Sequence, residues 1–333
     1  MFHTDYNIFF AFLTSLFITY VAIPRAIFFA EKFRLSDVPG DRASHKRSIP
    51  IFGGIAIFSG VILSLLFWAD IAKIQFILVS LVVVFFLGII DDLLGLTPYK
   101  KLIGQVFAIL IVIYFGDIKI DSMHGVLGIY EISPLAAILF TTFVIIVITN
   151  GINLIDGVDG LASGIGILSA LGFGTLCVLM KDVTQQSDMA IVAFSLIGSL
   201  LSFLRYNFHP AKIFMGDSGS LVIGMILSIL AMNCINKGLV LATHDFSDKG
   251  PLITIVFLAI LLFDTLRVFV ARVSKGKNPL YPGRGHIHHA LLDLGLGHKL
   301  TAITLYLVSC FLIIGSYFLL PLNITLGIAI FSF

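Results

Sequence analysis

The feature that most constrains this chain is a succession of long apolar runs almost free of charge, at 7–29, 50–68, 74–90, 102–116, 134–149, 160–180, 189–204, 220–236, 251–271 and 301–320. A hydrocarbon core about 30 Å thick takes roughly 20 helical residues to cross. A soluble core for 333 residues does not need an apolar share of 58%. The expected fold is therefore all-α, a polytopic integral membrane protein with 10–11 transmembrane helices, forming one domain over 1–333. The eleventh helix depends on Pro321–Phe333, an apolar segment short for a span.

Charge distribution sets the expected orientation. With the N-terminus placed outside, the inward loops carry fifteen Lys and Arg residues and the outward loops five, with Arg267 inside the ninth run. Basic residues accumulate on the cytoplasmic side, so active-site loops are expected in the cytoplasm. No basic residue precedes the first run and no small-residue cleavage site follows it, so it reads as a retained helix rather than a signal peptide. Cys177, Cys234 and Cys310 lie in or beside separate apolar runs without metal-like spacing and read as packing residues.

The inward loops carry the chemistry. Between the fifth and sixth runs, Asn150, Asn153, Asp156 and Asp159 recur every third residue among Gly151, Gly157 and Gly160. Three-residue steps drift around a helix and glycine weakens it. A broken helix end gathering two amides and two carboxylates is expected, with oxygen ligands suited to a hard cation. The same residues admit a plainer reading, with Asp159 as a helix cap. This loop has no Lys or Arg, so its acids call for another counter-charge, such as a metal.

Asp91 and Asp92 end the third run, where a helix C-terminus disfavours negative charge and the two carboxylates repel. Lys100 and Lys101 follow as counter-charge or phosphate ligands. The first inward loop carries six Lys and Arg, His45, and the Gly53-Gly54 pair, which permits close approach to something bound. Met215-Gly216-Asp217-Ser218-Gly219-Ser220 opens the eighth helix, with Asp217 or Ser218 as N-cap, or with the helix end facing an anion. In the last loop, Gly283-Arg284-Gly285-His286-Ile-His288-His289 reads as phosphate or sugar donors, with imidazole protonation adding charge near neutral pH. A zinc site is less suited, because no acid or Cys ligand lies near these histidines in sequence. The remaining histidines, including His209 and His298, are scattered and carry no expectation.

Taken in order, Asp37-Val-Pro39 with His45 and Gly53-Gly54, Asp91-Asp92, Asn150 to Leu161, Met215 to Ser220, and Gly285 to His289 resemble the polyprenyl-phosphate N-acetylhexosamine-1-phosphate transferase family. The likeness is nearest to its bacterial undecaprenyl-phosphate N-acetylglucosamine-1-phosphate transferases. The resemblance implies transfer of N-acetylglucosamine-1-phosphate from a UDP-sugar to undecaprenyl phosphate at the inner leaflet of the plasma membrane, releasing UMP as the first membrane step of a cell-envelope polysaccharide. It implies Mg²⁺, with Mn²⁺ as a substitute. It places the metal on Asn153 and Asp217 and catalysis on Asp91, Asp92, Asp156, Asp159 and His286. Substrate binding falls to His45, Lys101, Arg284, His288 and His289. The implied partners are a UDP-N-acetylhexosamine, polyprenyl phosphate and the bilayer, with no nucleic acid; a homodimer is open.

Three alternatives stand beside it. The same chemistry could use UDP-sugars carrying phospho-N-acetylmuramoyl-pentapeptide, N-acetylgalactosamine or N-acetylfucosamine. The first of these siblings has three successive His after Pro-Ile, unlike the run here. An ion-coupled transporter needs mid-membrane acids; only Asp264, expected to pair with Arg267 one turn away, fits. A CDP-alcohol phosphotransferase shares Asp-Gly repeats, but Ser163 stands where that family has Arg.

Overall fold

The computed structural model describes residues 2–33, 36–37, 49–184, 187–237, 239–241, 244–276, 285–318, 324 and 326–328. The helices are α1 Phe2–Phe33, α2 Gly53–Trp68, α3 Ile71–Leu94, α4 Pro98–Tyr114, α5 Pro134–Ile155, α6 Leu161–Thr184, α7 Ser187–Asn207, α8 Gly216–Lys237, α9 Gly250–Phe257, α10 Ala259–Val273, α11 Ile287–Asp293 and α12 His298–Tyr317. Each expected apolar run carries helix over its described residues. Among the described residues seven helices are long and apolar enough to cross a membrane, or eight if the α9–α10 pair is one span. The chain is an all-helical, multi-pass membrane protein.

Helices α2 and α4 are shorter, at 16 and 17 residues, about 24–26 Å at 1.5 Å per residue. The expected ninth span is two helices, bent by 80° at Leu258. No Pro or Gly lies at the break, so the sequence carried none of the usual kink signals. The proposed eleventh span lies largely outside the described residues.

Burial inverts the soluble pattern. Phe9, Phe17, Phe28, Phe67, Phe107 and Phe311 point outward, while Ser15, Thr19, Ser64, Ser195 and Ser199 are buried. Two of those contacts are hydroxyl pairs that stitch α1 and α2 to α7: Thr19–Ser199 and Ser64–Ser195, both 2.8 Å. Such bonds and small residues hold helices together where lipid supplies little hydrophobic drive.

Helix α8 is the hub, buried along nearly its whole length and packed by α3, α5, α2, α9 and α6. Two glycines let its N-terminus sit this deep. A Cβ on Gly54 would lie 2.2 Å from Gly219 N, and one on Gly88 would lie 2.4 Å from Ser218 Cα. Gly53 N–H and Gly54 N–H donate to Phe214 O and Met215 O at 2.9 and 2.8 Å. The close approach expected of the Gly53-Gly54 pair is thus to the backbone before α8. Three small hairpins complete the described fold: Ser36–Asp37 with Ile49–Pro50, Ser122–Val126 with Ile129–Glu131, and Leu239–Leu241 with His244–Phe246.

Replacing Gly88 with Ala should force α3 off α8, at a cost of about 1–3 kcal/mol for overpacking. Gly315→Ala, whose Cβ meets nothing within 4 Å, is the control. Thermal unfolding in detergent should show a lower midpoint for Gly88→Ala only; equal midpoints would contradict this packing.

Candidate active site

The first amides of any helix lack intrahelical partners. In α8 two of them are taken by α3: Asp92 Oδ1 accepts Asp217 N–H at 2.6 Å, and Oδ2 accepts Ser218 N–H at 3.0 Å. The cap comes from another helix, a carboxylate placed where the helix dipole favours negative charge. Gly216 makes the turn into the helix with φ +73°, a left-handed conformation that glycine adopts without penalty.

Asp91 is held differently. Its Oδ1 accepts Leu96 N–H at 2.7 Å, and its Oδ2 lies 2.9 Å from Lys101 Nζ. The same ammonium lies 2.9 Å from Asp217 Oδ1, so Lys101 bridges the ends of α3 and α8. The acidic pair at a helix C-terminus is thereby resolved, one member by a lysine and the other by a helix N-terminus.

Helix α5 brings the third component. It runs six residues beyond the expected end at 149, which puts Asn150 and Asn153 on regular helix. Asn153 Nδ2 donates to Asp217 Oδ1 and, at 2.9 Å, to Ser220 Oγ. Asp156 follows at the C-cap and has no hydrogen bond or ion pair among the described residues. Burial first, then repulsion from Asp217, Asp92 and Asp159, raises its carboxyl well above the ordinary range. Among the described residues, Lys101 is the lysine paired within this group of Asp91, Asp92, Asp156 and Asp217, and it reaches Asp91 and Asp217. Oxygen donors with surplus negative charge suit a hard divalent cation.

The expected gathering of all four loop side chains does not occur. Asn150 Nδ2 donates to Gln105 Oε1 on α4 at 3.1 Å and to Ile146 O at 2.9 Å. Asp159 faces a different set: His209 Nδ1 lies 2.7 Å and Ala211 N 3.1 Å from Oδ2, and His298 Nδ1 lies 3.5 Å from Oδ1. Burial opposes ionisation of Asp159, but the bonds from His298, His209 and Ala211 prevail and hold its carboxyl low. Asp159, His209 and His298 offer three ligand atoms within 4.8 Å of one another; two imidazoles make this a softer set than the oxygens around Asp217. The adjoining Gly160 is pinned by Asn207 Oδ1 on its N–H at 3.0 Å and by Tyr306 Oη on its carbonyl at 2.5 Å.

On the far side of the loop, α11 carries the histidines. His286 and His288 are buried, with rings stacked 5.6 Å apart. His286 Nδ1 lies 2.9 Å from Asp264 Oδ2. His288 sits against Gly157: its Nε2 lies 3.5 Å from where a Cβ there would be. Burial, then the His289 and His286 rings, push the His288 imidazole down to about 4. The expected charging near neutral pH therefore fails for His288, which stays neutral there.

With that geometry in view, similarity is informative. Residues 74–235 match the Glycosyl transferase family 4 profile. The chain is 34% identical over 326 residues to a "Probable undecaprenyl-phosphate N-acetylglucosaminyl 1-phosphate transferase" of Bacillus subtilis, covering 96% of this chain and 87% of the relative. The chain belongs to glycosyl transferase family 4. Other relatives are a "Decaprenyl-phosphate N-acetylglucosaminephosphotransferase" of Mycolicibacterium smegmatis, 31% identical over 89% of this chain and 78% of the relative. A "Phospho-N-acetylmuramoyl-pentapeptide-transferase" of Borrelia hermsii is 29% identical over 92% of each.

In this family 4 member, the residues singled out from sequence divide into three groups. Asp91, Asp92, Lys101, Asn153, Asp156 and Asp217 meet at the ends of α3, α4, α5 and α8. Asp159 stands beside them on the histidine side, with His286 at the N-cap of α11 and His288 and His289 within it. His45 and Arg284 lie outside the described residues. Sequence reasoning missed His209, His298 and the part Asp264 plays beyond Arg267. Nothing in their spacing announces them, because each comes from a different helix: His209 follows α7, Asp264 lies within α10 and His298 opens α12.

Burial of neutral His288 ties the stability of the fold to pH. An unfolded imidazole titrates near 6.5, so between that pH and about 4 the unfolded chain binds more protons. Folded-state stability must then fall as pH falls through this window, by roughly 3 kcal/mol at 1.36 kcal/mol per unit. His288→Gln should flatten the decline of the unfolding midpoint between pH 6.5 and 4.5; an unchanged slope would contradict the assignment.

Proposed function

We propose that this protein transfers N-acetylglucosamine-1-phosphate from UDP-N-acetylglucosamine to undecaprenyl phosphate, at the cytoplasmic face of the plasma membrane with its N-terminus outside. One observation carries the reading: a surplus of carboxylates and one amide from α3, α5 and α8 converge around Asp217, in a chain related along nearly its full length to such a transferase. A phosphate oxygen of the lipid forms a bond to the sugar-bearing phosphorus. The bond from that phosphorus to the bridging oxygen breaks, and UMP leaves with that oxygen.

The donor set fits Mg²⁺, and Asn153 and Asp217 would hold it. Bound there, the cation neutralises diphosphate charge and polarises the phosphoryl oxygens. The chain's own residues supply the rest. Asp92 fixes the α8 end on which Asp217 rides. Asp91 and Lys101 set the position of the lipid phosphate, with the ammonium opposing its charge. Asp156, the carboxylate unengaged among the described residues of this cluster, faces the reacting groups. His45 and Arg284 would contribute from the basic loops. Catalysis by positioning and charge compensation, without a covalent nucleophile, is what phosphoryl transfer chiefly demands.

The acids lie at helix termini rather than mid-span, which favours an enzyme over a transporter. A second substrate, UDP-N-acetylmuramoyl-pentapeptide, is favoured by relatives such as that of Borrelia hermsii, at lower identity. Purified protein with Mg²⁺ and undecaprenyl phosphate should release UMP from UDP-N-acetylglucosamine, and Asp217→Asn should abolish release. Turnover only with the pentapeptide nucleotide would change the sugar assignment, and full turnover by Asp217→Asn would overturn the site.

A further inference from the structure

Asp264 is a carboxylate 1% exposed on α10, and three donors converge on it. His286 Nδ1 lies 2.9 Å from Oδ2, Ile287 N–H donates to Oδ1 at 2.8 Å, and Arg267 Nη2 donates to Oδ1 at 3.1 Å. The same Arg267 nitrogen donates to Gly285 O at 2.5 Å. Residues 285–287, the entry to α11, are thus tied to α10 at three points. Sequence alone suggested only the pair between Asp264 and Arg267.

An ionised carboxylate accepts hydrogen bonds and cannot donate them, so in neutral His286 the Nδ1 must carry the proton. Nε2 is then the lone-pair nitrogen. It is buried and has no hydrogen-bond partner among the described residues, and the same is true of Nδ1 of His288 two residues on. Unpartnered buried polar atoms are costly and rare. Two of them on adjacent stacked rings, beside the loop that follows Asp156, mark a place a polar ligand completes. A phosphate oxygen cannot satisfy a lone pair, since it too is an acceptor. A hydroxyl or an acetamido N–H can.

We propose that Asp264 is a positioning residue: it locks His286 as the Nδ1–H tautomer, so that Nε2 is presented as an acceptor to a hydroxyl or amide N–H of the sugar nucleotide. The ligand half of this inference rests on the transferase reading above; the tautomer half does not. Asp264→Asn would put an amide N–H opposite Nδ1, shift the imidazole proton to Nε2 and turn the acceptor into a donor. Carboxylates that orient a metal-bound imidazole change activity by about 10–100-fold when replaced, and a loss of that order is expected here.

The test has two parts. In ¹⁵N-histidine-labelled full-length protein, the His286 resonance, assigned by its loss in His286→Gln, should show a protonated Nδ1 and an unprotonated Nε2. Asp264→Asn should reverse that pattern. In UMP-release assays Asp264→Asn should lose about 10–100-fold in kcat/KM, and should add nothing in a His286→Gln background, because both changes remove one unit. A protonated Nε2 in the unmodified protein would overturn the proposal, as would independent, multiplicative losses in the double variant. Should Asp264→Asn fail to fold, the spectrum of the unmodified protein decides the tautomer. If the unmodified protein releases no UMP while showing the expected tautomer, the transferase reading fails and the positioning of His286 stands.

Discussion

Asp92 on the first amides of α8 is the contact on which the rest of the site depends. A helix N-terminus that reaches the interior with free N–H groups is unstable, and a carboxylate at a helix C-terminus is unstable too. Placing the end of α3 against the start of α8 resolves both at once. It is possible only because Gly88 and Gly54 carry no side chain where α8 must pass. Once that junction is made, Asp217 is fixed in the first turn of α8, Lys101 reaches it from α4, and Asn153 reaches it from α5.

The junction leaves charge unbalanced. Lys101 is shared between Asp91 and Asp217, Asp92 is engaged by amides, and Asp156 has no hydrogen bond or ion pair among the described residues. A surface could tolerate that surplus in water, but these groups sit among packed helix ends. The arrangement becomes reasonable if a cation and a phosphate-bearing ligand enter together. The histidine layer on α11 differs in kind: it is neutral at His288, ordered by Asp264 at His286, and separated from the acids by the loop from Asp156 to Gly160. One side of the loop is suited to phosphate with metal and the other to neutral polar groups.

Much of this was legible in the residues. The apolar runs specified every long helix, because in a membrane length and hydrophobicity nearly determine structure. The acids at helix ends pointed to phosphoryl chemistry, since an Asp91-Asp92 pair needs a reason to exist. What escaped were matters of direction and of partners distant in sequence. Asn150 follows the same three-residue spacing as Asn153, yet points to Gln105 because α5 continues for two more turns. His209 and His298 looked isolated, since nothing in sequence says that a turn after α7 and the start of α12 flank Asp159. The break at Leu258 lacks Pro or Gly, and it takes tertiary packing to reveal it.

Among the described residues two groups suit a divalent ion, the oxygen cluster of Asn153 and Asp217 and the trio of Asp159, His209 and His298, and we propose that the reaction runs at the first. Anomalous diffraction or an equivalent metal-resolved map of the protein with Mn²⁺ and UDP-N-acetylglucosamine tests this most directly. A metal peak about 2.0–2.5 Å from an Asp217 carboxylate oxygen is the predicted result. A peak held by His209 and His298, with none at Asp217, would contradict the account.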